Sequence, residues 1–387
     1  MLEIKHPNHY AEVIMVNDIR PVEGSDNLGI VKIHDAQVLV NKHTVQEGDK
    51  MVYIMDGIRL NEYVASLLNL YSDPTMNHDK TVKGYLGKNG VVRSIKLRGE
   101  MSHGVLLSLK GIVFSDMNVG DKFTHIHNAE ICGKPLHDKS DETKTTANKL
   151  KKKNLLLGFE FHGNTPNIYR GHTIRPDDYI SIHYKKHGTS FVLGNLPIKR
   201  SFWQRLKAAF TDEPQPYDFV VSSRTVIRNM SGNDIYARAA QLIRDHVPKG
   251  YTLYGEIIGF DNEKYIQSGF DYGCKPYVFR VFIYKISVQT PDGPIYLSDQ
   301  QILEFCKRSP TLEYKETLLW EGRACEYMTN NDPDTLVPNL VKEYVQETDC
   351  TMCKNKVPAE GIVVRKESMK DYIAFKLKSK KFIEQHG

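Results

Sequence analysis

The sequence predicts an α+β protein, with a small β-barrel first and then a larger domain of antiparallel sheets and helices. Three observations carry this. The first third is a series of short β-branched runs separated by turn residues, a charge-rich stretch poor in apolar residues follows, and beyond it strand-type runs mix with helical spacing. At 387 residues the chain is long enough for two domains, and 40% hydrophobic residues supply a core for each. A net charge of +5 permits a nucleic-acid partner without requiring one.

Taken in order, residues 11–16, 29–33, 37–40 and 51–54 read as strands, divided by turn signals at 23–27 and 47–50. Close spacing of short strands suggests a barrel. Residues 62–70 read as a helix, and 91–99 lead into a further β-run at 102–107. The barrel domain is assigned to residues 1–135. Residues 136–157 are assigned as a solvated linker, because the stretch 138–153 within them is rich in lysine and acid and leaves Leu150 nearly alone. In the second domain, 158–387, strands are expected at 179–184 and 278–286, with two more within 361–381. Helical spacing appears at 198–210.

No apolar run approaches the ~18 residues of a membrane span, and the first residues carry no hydrophobic signal core. No membrane partner is expected, and a cytoplasmic location is (host cytoplasm for a phage or viral protein). Six cysteines are too sparse for a disulfide framework, so reduced thiols are expected. Cys350 and Cys353 form a single Cys-x-x-Cys, short of the four ligands of a structural zinc site. His125, His127, Cys132 and His137 read as a polar loop.

The residues that point to chemistry lie in the second domain. Lys185-Lys186-His187-Gly188 follows a predicted strand. A lysine acts as nucleophile only when unprotonated, so the site must lower a pKa that is ordinarily about 10.4. A metal ion or neighbouring lysines would do so. Gly188 lets a phosphate approach the backbone. Taken alone, the segment reads equally well as an exposed basic turn. Glu256 and Glu360 each place a carboxylate in an apolar strand, where it is costly to bury without a sugar hydroxyl, a metal or a cation. Each alone also fits an outward-facing acid. Lys376 and Lys378 share one strand face, as a phosphate clamp or as a basic edge that deters aggregation. Arg224 offers a fork for a phosphate or carboxylate.

In this order these segments resemble the motifs of the covalent nucleotidyltransferase superfamily: ATP-dependent DNA ligases, RNA ligases and capping enzymes. The form Lys-x-His-Gly-Thr is most similar to RNA ligases of the second bacteriophage type. Residues 22–26, 46–49 and 97–104 resemble the leading OB domain of the fifth RNA ligase family. The resemblance implies an OB-like barrel followed by an ATP-grasp-like nucleotidyltransferase domain. It implies that Lys185 takes AMP from ATP in a phosphoramide bond, passes it to an RNA 5′-phosphate, and that a 3′-hydroxyl displaces it.

Arg224 would contact phosphate or ribose. Glu256 would meet a ribose hydroxyl or metal-bound water. Tyr284 would stack on adenine, with Phe282 as runner-up. Glu360 would organise Mg²⁺ or Mn²⁺, with Glu256 as the second metal-site residue, and Lys376 and Lys378 would grip phosphates. The RNA would be a nicked duplex or a pair of broken ends, bound in part through Arg93, Lys96 and Arg98, and the protein a monomer. His187 would assist a later step or simply pack. Tyr184 and Lys285 depart from the pattern, standing where an acid is common in the relatives.

A DNA ligase or a capping-type guanylyltransferase shares the motifs but carries its OB domain after the paired lysines. Only nine residues follow Lys378 here, which favours an RNA ligase. A catalytically silent RNA-binding protein is the remaining alternative, and it would not need this set of lysines and acids together.

Overall fold

The computed structural model describes residues 2–6, 8–108, 117–135, 156–201, 211, 213–308, 318–346 and 348–386. The chain divides into two compact units: residues up to 139 with Ile168–His172 and Phe382–Gly387, and Ser140–Asn167 with Thr173–Lys381.

The first unit is built on strands Ala11–Met15, Leu28–Ile33, Ala36–Asn41 and Lys50–Ile54, where β-branched residues alternate about the turns. Its strands form five small antiparallel sheets, with no closed barrel among the described residues. The reason is local. The 28–33/36–41 hairpin turns at His34, whose φ is 52°, pairs as a strand with Arg20–Pro21, and takes a backbone hydrogen bond from His103 to Gln37 at 2.9 Å. It meets the 11–15/50–54 pair through side chains, not a continuous hydrogen-bond ladder: Val13, Val31, Val38, Val52 and Ile54 share one core. The helix is Glu62–Leu67, capped by Asn61, and stops short of residue 70 because Asn69 takes a left-handed φ of 55°. Lys96, expected to face RNA, is ion-paired with Glu384 at 2.9 Å. Arg98 occupies a left-handed turn position between Ile95–Leu97 and Glu100–Ser102.

The second unit holds two antiparallel sheets. One orders Leu318–Arg323, Tyr179–Tyr184, Gly361–Lys366 and Ile373–Lys378. The other runs from Ile227–Arg228 through Tyr217–Ser222, Thr189–Pro197, Tyr251–Asp261 and Phe279–Thr290 to Gly293–Tyr296. Helix Ile235–Ile243 lays Ile235, Ala239, Ala240 and Ile243 on the larger sheet, against Phe191, Leu193 and Leu253. Helix Asp299–Cys306 adds Ile302 and Phe305, and begins at a Ser298/Gln301 capping box. Residues 185–188 carry the chain from the first sheet to the second.

The expected linker at 136–157 and helix at 198–210 fall mainly outside the described residues, as does His137. Within them, Leu156 bridges to Ile198. No helix among the described residues is long and apolar enough to cross a membrane.

Candidate active site

Lys185, Gly188, Arg224, Glu256, Phe282, Tyr284, Glu360, Lys376 and Lys378 all line one cavity of about 320 Å³ in the second unit. Strand geometry brings them there. The Lys185 amide donates to the Gly361 carbonyl at 2.9 Å, fastening the nucleophile candidate beside Glu360. Gly361 pairs with Lys378 and Val363 with Lys376, so the two lysines emerge on the same face two residues apart. Glu256 lies opposite Ser190 on one side and Phe282 on the other. Arg224 rides a turn closed by the Ser223 amide on the Val226 carbonyl at 2.9 Å.

Two glycines are demanded by close approach. A Cβ on Gly188 would come within 2.3 Å of the Ile257 carbonyl and 2.8 Å of Glu256 Cγ. What its small size admits is therefore the Glu256 strand, where the motif alone suggests a phosphate. Gly361 has φ 133° and would meet the Leu377 carbonyl at 2.1 Å.

Glu360 is the electrostatic centre. Its side chain is 3% exposed; Lys185 Nζ lies 2.9 Å and Lys378 Nζ 3.7 Å from Oε1, and His187 Nδ1 lies 3.7 Å from Oε2. Burial alone would raise the Glu360 carboxyl, but Lys185, Lys378 and His187 together hold it below the usual carboxylate range. Glu256 has less compensation. Burial pushes it up to about 7 even though Lys185 pulls the other way.

Lys185 departs from expectation. Burial lowers its pKa, yet the carboxylates of Glu360 and Glu256 outweigh burial and the net direction is up. Neutralising those two acids removes what holds the ammonium charged and leaves burial and the Arg224 charge, which both lower it.

The donor set fits a hard divalent cation. Buried Glu360 and half-buried Glu256 face the cavity, Glu360 Oε2 accepts no hydrogen bond, and Glu256 is driven towards protonation. No group of three or more His, Cys, Asp or Glu placed to hold a metal ion occurs among the described residues. An ion here would take its other ligands from phosphate and water oxygens.

The aromatic wall distinguishes Tyr284 from Phe282. Phe282 is 2% exposed, with the Lys186 ammonium 3.6 Å and the Arg280 guanidinium 5.1 Å from its ring centroid. Tyr284 lines the cavity with a buried hydroxyl that has no partner, as does Arg224 with its Nε. Tyr184 also lines the cavity.

Several lining residues carry no signal in the sequence. His162 and Thr165 come from an irregular segment with no periodicity to mark it. His183, Arg365 and Tyr372 belong to a buried network. Arg365 Nη1 donates to Asp299 Oδ1 at 2.8 Å and Nη2 to the Leu297 carbonyl, while Nε lies 3.5 Å from Glu367 Oε1. His183 Nε2 lies 2.7 Å from Asp299 Oδ2.

Within this network burial, with Asp299 adding to it, pushes Glu367 up to about 7 against the pull of Arg365. A carboxyl whose folded pKa is raised contributes stability below its unfolded value, about 4.3, and that stability is lost as pH rises through about 7. Glu367→Gln is therefore expected to stabilise the fold by on the order of 2 kcal/mol at pH 8 and by little at pH 4.5. Urea midpoints across that range check this, and a gain of equal size at both ends would refute it.

A family model described as RNA ligase matches residues 179–382, more than half of the chain. No curated protein matches the sequence. Among solved structures, a Naegleria gruberi RNA ligase variant in its apo form aligns with a TM-score of 0.65 at 15% identity, covering 97% of this chain and 98% of that one. A variant solved with ATP and Mn gives 0.64 at 16% identity, covering 97% of this chain and 98% of that one. The Naegleria enzyme with PPi gives 0.63 at 16% identity, with the same coverage. These likenesses show a shared fold along nearly the whole chain. With the family match over 179–382, they make this chain a member of the RNA ligase family.

Proposed function

We propose that this protein is an ATP-dependent RNA ligase that joins a 5′-phosphate to a 3′-hydroxyl by way of AMP carried on Lys185. The observation that carries the reading is the meeting of Lys185, Glu256, Glu360, Lys376 and Lys378 around one cavity. Lys185 Nζ attacks the α-phosphorus of ATP, a P–N bond forms, and the P–O bond to pyrophosphate breaks. The Lys185 proton passes to solvent water in the cavity once its two acidic neighbours are neutralised. Lys376 and Lys378 hold phosphate oxygens and stabilise charge as the leaving group departs. Arg224 holds phosphate or ribose, Tyr284 stacks on the base, and Glu256 takes a ribose hydroxyl or metal-bound water. Glu360, with Glu256, would hold Mg²⁺ or Mn²⁺, which supplies positive charge beside the phosphates. AMP then passes to the RNA 5′-phosphate, and the 3′-hydroxyl expels it.

Residues 158–387 form the adenylyltransferase domain in this reading, and residues 1–135 an OB-like module for the RNA. The substrate is nicked duplex RNA or an RNA-containing hybrid, and the enzyme works as a monomer. Naegleria gruberi structures solved with ATP and Mn support the nucleotide and metal assignments.

The test is a sealing assay with ATP and Mn²⁺ over nicked duplexes carrying ribose or deoxyribose on each side of the nick. Sealing at least ten times faster with ribose at the 3′-hydroxyl end is expected. Equal rates on an all-DNA nick would point to DNA ligation, and labelling by GTP in place of ATP to capping.

A further inference from the structure

We propose that His162 reads the edge of the purine base in this cavity and makes the site prefer adenine over guanine. This deepens the nucleotide-binding reading above and rests on it.

His162 lines the cavity with Lys185, Arg224 and Tyr284. Its ring centroid lies 5.3 Å from that of Tyr284 at an interplanar angle of 63°, and 6.3 Å from Tyr254 at 57°. The imidazole is thus set beside the ring on which the base stacks. It makes no hydrogen bond among the described residues, so its ring nitrogens are left for a ligand. The Tyr284 hydroxyl, buried and without a partner, lies on the same aromatic wall. A polar group enclosed in this way costs free energy unless something hydrogen-bonds it, and a nucleobase edge is made of such groups.

Burial first, then Arg224, Lys285, Lys185 and Lys376, push His162 down to about 3. A base so weak is unsuited to taking the Lys185 proton near neutral pH, which argues against an acid–base role. Neutrality suits recognition. An imidazolium presents donors only, and guanine offers O6 and N7 as acceptors to receive them. A neutral ring keeps one acceptor nitrogen, which the exocyclic amine of adenine requires. Burial first, helped by the positive charge of the cavity, thus holds His162 in the form that can accept from adenine.

The experiment measures adduct formation at Lys185 with α-labelled ATP or GTP and Mn²⁺, in wild type, His162→Ala, His162→Phe and His162→Asn. Loss of one recognition hydrogen bond is expected to raise KM for ATP about ten-fold in the alanine and phenylalanine variants, with kcat within about two-fold. The ATP-over-GTP preference should shrink by a similar factor. Asparagine, which keeps a donor and an acceptor, should restore most of both. The inference is overturned if alanine leaves KM and the preference unchanged. It is overturned equally if kcat falls while KM holds, or if phenylalanine rescues as well as asparagine. A wild-type protein that takes no label from ATP sinks the nucleotide reading itself, a result distinct from either of these. Thermal melts of each variant separate lost recognition from lost fold, and asparagine carries the test if alanine unfolds.

Discussion

Replacing Lys185 by alanine is expected to abolish the acid-labile adduct with α-labelled ATP and to lower sealing at least about a thousand-fold. The neighbouring lysine offers no substitute. The Lys186 ammonium lies 3.6 Å from the Phe282 ring centroid and donates to Met352 Sδ at 3.0 Å, so it is held away from the phosphate clamp. Arginine makes the stricter control. Lys185→Arg keeps a cation to face Glu360, but a guanidinium does not deprotonate in proteins and is no nucleophile. It should fold as wild type and form no adduct. A nick whose 5′-phosphate already carries AMP bypasses the lysine, so both variants should still seal it. A surviving adduct in the alanine variant would show that the nucleophile lies elsewhere. Failure of both variants on the pre-adenylylated nick would mean that Lys185 has a second, later role.

How far the site is legible in the sequence follows from where its residues sit. Lys376 and Lys378 share a strand, and the two-residue period of a strand is enough to place them on one face. Glu256 and Glu360 stand out because a carboxylate in an apolar β-run needs a reason to be there. The direction of the Lys185 pKa is not legible, because Glu360 reaches it only through the pairing of strands distant in sequence. His162 is hidden in a segment without regular structure, where nothing separates a pocket histidine from a loop histidine. In the first third the strands are legible from their β-branched runs, but their hydrogen-bonded order is not. Short runs say which residues are extended and not which neighbour completes the ladder, and the described residues show five small sheets and no closed barrel.

Removing the guanidinium of Arg365 should cost about 3–5 kcal/mol of stability. The side chains of Arg365 and Asp299 are each 3% exposed, and Glu367 is 16% exposed. Arg365 serves Asp299, Glu367 and the Leu297 carbonyl at once. Arg365→Ala leaves one ionised and one partly ionised carboxyl buried with His183 and the Ser181 hydroxyl to answer them, and no full cation between them. Lysine retains the charge but not the fork, so Arg365→Lys should recover only part of the loss. The double variant Arg365→Met with Asp299→Asn removes an acid together with its partner, and should be more stable than Arg365→Ala alone. The loss should reach the chemistry as well. The network joins strand 179–184, through His183, to strand 361–366, through Arg365, and Lys185 and Glu360 flank those strands. Adduct formation at a temperature where Arg365→Ala remains folded should therefore slow relative to wild type. Urea unfolding of the four proteins at pH 7 decides the energetic claim. If Arg365→Ala and the double variant are equally stable, the buried acids were never the cost, and the arginine holds the strands by packing alone.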